Sequence, residues 1–93
     1  MNPFKIWQSW YQNNIQNKKE KDELLISSRE ILGKTHVIFR LVNTKDSLIQ
    51  ELSISKDSAN ITIHATMPDT SSFKETPLDL KSAIQKVNEL IGD

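Results

Sequence analysis

The sequence predicts an α+β fold of order α-β-β-β-α: a long N-terminal helix, a three-stranded antiparallel meander and a C-terminal helix. Three observations carry that expectation. Apolar side chains recur at helical spacing near both ends of the chain. Three central runs alternate apolar with polar residues, and polar turn stretches of four or five residues separate those runs. At 93 residues and 37% hydrophobic content, residues 1–93 are expected to form a single small domain with a thin core.

The first element is read from "FKIWQSWYQN", which holds four of the six aromatic side chains. At helical spacing Phe4, Trp7, Trp10, Tyr11 and Ile15 fall within a sector about 140° wide, and Pro3 suits a first helical turn. "QNKKEKDE" (16–23) follows without an apolar side chain. In "LLISSREILG" the helical period resumes, with Leu24, Leu25, Ser28, Ile31 and Leu32 on one side and Gly33 placed as a C-terminal cap. These features predict one long, bent helix over 3–33, with a hinge at 16–23 as the alternative. Lys18 and Lys21 would lie in the apolar sector of a continuous helix, so its aromatic end would project beyond the core.

The sheet is expected over 35–67. "THVIFRLV" (35–42), "SLIQELSIS" (47–55) and "NITIHATM" (60–67) are rich in β-branched residues and alternate. One face would be core: Val37, Phe39, Leu41, Leu48, Leu52, Ile54, Ile61, Ile63 and Ala65. The reverse face mixes Ile38, Val42 and Ile49 with His36, Arg40, Glu51 and His64. "PDTSSFKE" reads as a loop. A last helix over 76–91 follows, with Thr76 as N-cap, Pro77 in its first turn and Asp79 near its positive end. Its stripe is Leu80, Ala83, Ile84, Val87, Leu90 and Ile91, closed by Gly92.

Composition narrows the chemistry. Twelve basic and twelve acidic side chains balance, so no overall field draws in nucleic acid or an anionic membrane. The absence of cysteine removes disulfides and thiolate chemistry. Two isolated glycines cannot build a phosphate-cradling loop, and neither a nucleophile elbow nor a paired-histidine metal motif occurs. No cofactor or metal is expected. No signal peptide or membrane span is read from the sequence, and the expected location is cytoplasmic.

The order α-β-β-β-α is shared with double-stranded RNA-binding domains, whose last helix begins with a lysine-rich grip on phosphate. Here that place reads "TPLDLKSAIQK", with Asp79 and only Lys81 and Lys86. A shared order of elements carries no function by itself.

The expected function is a non-catalytic protein–protein interaction module: a small adaptor, inhibitor, immunity or chaperone-like protein that self-associates as a homodimer. Tryptophan and tyrosine are the side chains that most often anchor interfaces. Phe4, Trp7, Trp10, Tyr11 and Ile15 would therefore form the binding stripe. Ile38, Val42 and Ile49 would be the apolar patch that a partner's helix covers. Alternatively, the stripe folds back onto the reverse face of its own sheet and covers Ile38, Val42 and Ile49, or it lies on a membrane surface. The rival functions are a dimeric nucleic-acid-binding protein and a small enzyme using the His36, His64 and Glu51 face.

Overall fold

The computed structural model describes residues 2–17, 22–45 and 47–92. Helix α1 spans Pro3–Trp10 and opens into a wider, π-type turn over Tyr11–Gln16. Strands β1 (Asp22–Ile31), β2 (Lys34–Asn43), β3 (Leu48–Ser55) and β4 (Ser58–His64) form an antiparallel meander. A two-residue strand β5 (Thr76–Pro77) pairs with β1, and helix α2 (Leu80–Ile91) closes the order. The sheet runs β4-β3-β2-β1-β5, so it has five strands rather than three.

The long N-terminal helix is therefore corrected. Helical structure ends by Gln16, where asparagines at the end of the stripe bond backbone carbonyls with their own side chains. Asn14 Nδ2 donates to the Trp10 carbonyl at 3.0 Å, and Asn17 Nδ2 to the Gln12 carbonyl at 2.9 Å. Such local bonds satisfy the carbonyls that a helix leaves free at its end. Lys18, Lys19, Glu20 and Lys21 lie outside the described residues. From Asp22 the chain is strand: Leu24 and Ile26 sit opposite Leu41 and Phe39, with Leu25, Ser27 and Arg29 on the other side.

Gly33 caps no helix. It closes the β1–β2 hairpin with Leu32, at φ 79° and 51° respectively. Two successive positive φ values define the type I′ turn, whose twist matches that of paired strands. The start of the last helix also shifts. Thr76 and Pro77 are in β5, and Asp79 is the N-cap, its side chain accepting from the Ser82 amide at 2.7 Å.

Both helices pack on one face of the sheet, with α1 over β4 and α2 over β1, β2 and β3. The core holds Trp7, Trp10, Val37, Phe39, Leu41, Leu52, Ile54, Ala59, Ala83 and Val87. The α2 stripe packs as its spacing requires: Ala83 and Val87 are buried, with Leu80, Ile84, Leu90 and Ile91 against the same cluster. Not all of the expected core face is covered. Leu48, Ile61 and Ile63 are exposed, and Ala65 lies past the end of β4.

Candidate protein interface

The expected binding residues divide between the two faces of the sheet. Trp7 is 5% exposed and Trp10 3% exposed, both within the chain's own core. Their ring centroids lie 4.8 and 5.7 Å from that of Phe39 at the centre of β2. Tyr11 meets Trp7 edge-on at 5.3 Å, and Ile15 packs beside the same cluster. Phe4 is the exposed member of the stripe. The expectation that a charged spacer holds these rings away from the core is corrected. A helix that stops at Gln16 lets the aromatic stripe turn back onto the sheet.

Ile38, Val42 and Ile49 lie on the opposite face, so they share no surface with the tryptophans. Ile38 and Ile49 are buried and Val42 is partly buried. Their cover comes from within the chain. After β4 the backbone must cross the reverse face to reach β5 beyond β1, and the crossing segment is pinned at Glu75. Both Glu75 oxygens accept from the Arg40 guanidinium, each at 3.0 Å. Ser27 Oγ adds a bond of 3.2 Å, and Arg29 lies 3.6 Å from the same carboxylate. Arg40 Nε also donates to Glu51 at 2.7 Å, and the Arg29 guanidinium sits 4.4 Å above the Phe73 ring. The bidentate Arg40 contact holds the Glu75 carboxyl below the ordinary glutamate range, against the opposing pull of burial. This network ties β1, β2, β3 and the crossing segment together.

The histidines do not converge. His64 Nε2 is 3.7 Å from Glu51 Oε1. Register places His64 in the row of Ile49 and Val42, six residues along β2 from His36, or about 20 Å along the strand direction. Burial, followed by the nearby Arg29 and Lys34 charges, pushes the His36 imidazole below its usual pKa. The sheet brings His64 beside Glu51 and sets His36 apart from both. Among the described residues no group of three or more histidine, aspartate and glutamate side chains is placed to hold a metal ion. No helix among them is long and apolar enough to cross a membrane.

An open surface runs along the outer edge of β4. The register with β3 runs one to one from Ser55–Ser58 to Ile49–His64, without a bulge. Among the described residues nothing pairs with its far side. Ile61 is 49% exposed and Ile63 65% exposed, both on the helix-bearing face, because α1 shelters only Ala59 of that strand's row. Half-exposed Leu48 borders Ile63 at the mouth of a cleft of about 340 Å³, which Asn13, Asn14, Asn17 and Gln50 also line. Sequence reasoning counted Ile61 and Ile63 as core, since alternation reports which face a residue is on but not whether anything covers it. The available signal was position: β4 ends the meander, and a last strand has one neighbour.

Searches against protein families, curated proteins and solved structures returned no match for this chain.

Proposed function

We propose that the protein is a non-catalytic interaction module that binds an extended protein segment along the outer edge of β4. The observation that carries this reading is an unbulged seven-residue edge strand whose outer side is, among the described residues, unpaired, with Ile61 and Ile63 bare beside it. Soluble proteins commonly protect sheet edges with lysine, proline, bulges or a covering segment, because free N–H and C=O groups template pairing. "SANITIH" contains neither lysine nor proline. Strand addition would satisfy the edge's backbone groups and cover both isoleucines in one step.

The reading keeps the interaction role expected of the sequence and moves it from the aromatic helix to the sheet edge. Trp7 and Trp10 are committed to Phe39, which leaves Phe4 as the exposed aromatic of α1.

Wild type and Ile63→Lys serve as paired baits in extract from the cells that express the protein. Ile63 is solvent-facing, so the substitution leaves the core intact while setting a charge on the pairing surface. A bound protein recovered on wild type and lost on the variant is the expected result. Equal recovery on both baits overturns the reading.

A further inference from the structure

We infer that the segment docking on β4 is β4 of a second copy, giving a two-fold symmetric dimer with one sheet running through both chains. This rests on the strand-addition reading above and names its partner.

Backbone phase sets the geometry. Ser55 and Ser58 flank the two-residue β3–β4 turn, which closes on a hydrogen-bonded pair. Bonded and non-bonded pairs then alternate along the ladder, which turns the N–H and C=O groups of Ala59, Ile61 and Ile63 outward. An antiparallel partner strand must present outward groups in the same phase, and an identical β4 does. With Thr62 on the dyad, Ile61 of each copy bonds Ile63 of the other. The four isoleucines then form one apolar cluster on the helix-bearing face. Thr62 meets Thr62 on the reverse face, a favourable cross-strand pair.

Charge permits self-pairing. The strand carries no lysine, arginine, aspartate or glutamate, so no like charges meet across the dyad. The register sets the single histidine, His64, opposite Asn60 rather than opposite its own copy.

The far edge of the sheet explains why association stops at two. There β5 lies across the middle of β1, pairing with Ser27 and Ser28, and Pro77 in it has no N–H to donate. A long strand cannot add on that side. A contact confined to one self-complementary edge closes as a dimer instead of growing into a filament.

A protein without native cysteine gives a clean test. Across the dyad the Thr62 pair is non-hydrogen-bonded, with Cα atoms about 4.5 Å apart, within the range a disulfide spans. Thr62→Cys is expected to form a disulfide-linked dimer under mild oxidation, well ahead of a Gln85→Cys control on the exposed face of α2. Sedimentation of wild type should show a concentration-dependent dimer, and Ile63→Lys should weaken it by about tenfold or more. A wild type that stays monomeric into the high micromolar range, with both cysteine variants cross-linking equally slowly, overturns the dimer. If Ile63→Lys still loses a captured protein in that case, strand addition stands with a different occupant. A wild-type dimer that Ile63→Lys leaves intact and Thr62→Cys does not trap overturns the β4 dyad.

Discussion

Phe39 is the residue on which the helical layer converges. It sits fully buried on the central strand with both tryptophans against it. The aromatic stripe thus contributes to folding before any contact with a partner. Trp10→Ala is expected to lower stability by about 3–5 kcal/mol, read as a fall in the urea midpoint. An unchanged midpoint would count against this packing. On the other face, Glu75 joins the crossing segment to Arg40, Arg29 and Ser27. Glu75→Gln keeps the shape, removes the charge, and should destabilise by about 2 kcal/mol at neutral pH. The pH dependence follows from the lowered carboxyl pKa, caused first by the Arg40 hydrogen bonds. A carboxylate whose folded pKa lies below its unfolded value adds stability above the unfolded value and loses it as pH falls through the folded one. The gap between wild type and Glu75→Gln should therefore be constant above about pH 5 and close as pH drops below about 4. A gap independent of pH would remove the ion pair from the account.

At the scale of elements, "LLISSREILG" shows how one stretch satisfies two periods. Leu24, Leu25, Ser28, Ile31 and Leu32 make a helical stripe, while Leu24, Ile26 and Ser28 make a strand face. Helical reading won on the sequence because the apolar period of the first helix resumes there and a glycine ends the stretch. Partner strand β2 decides for strand: its ten residues pair with all ten of β1, and only an extended β1 can meet them. The hairpin turn carries only half of the local signal, since Asn-Gly or Asp-Gly marks a type I′ turn and here leucine stands before the glycine. Leu32 is a poor occupant of that turn, 98% exposed and at positive φ. Leu32→Asn should stabilise the protein by about 1 kcal/mol, seen as a higher urea midpoint at unchanged slope. A loss of stability would show that Leu32 has a role beyond the turn. Other elements were legible to within a few residues. The β2, β3 and β4 runs alternate cleanly, and the α2 stripe has one good helical face and a glycine after it.

At the scale of the whole molecule, helices pack on one face of the sheet and the crossing segment runs over the other, and β4 is the meander strand left most exposed by both. Among the described residues the outer side of β4 has no paired strand along its whole length. Amide exchange should report this layout. Val37, Phe39 and Leu52, on the strands with neighbours on both sides, should be the slowest to exchange. Ile61 and Ile63 should exchange fast in dilute solution and slow down as protein concentration rises, because their N–H groups are the ones a second copy would bond. Exchange at these two residues that is independent of concentration would place any association elsewhere.

From the sequence alone come the mixed class, the antiparallel central runs, the stripe of the last helix, and the aromatic cluster as a feature needing cover. Those properties follow from spacing and side-chain chemistry within short windows. Only the tertiary structure decided where the tryptophans rest, that residues after Asp22 extend rather than coil, and that Glu75 straps the reverse face. The same holds for Ile61 and Ile63, which point toward the core side yet lie past its helical cover. Each of these depends on contacts between segments distant along the chain, and a periodic pattern states which face is apolar without stating what will cover it.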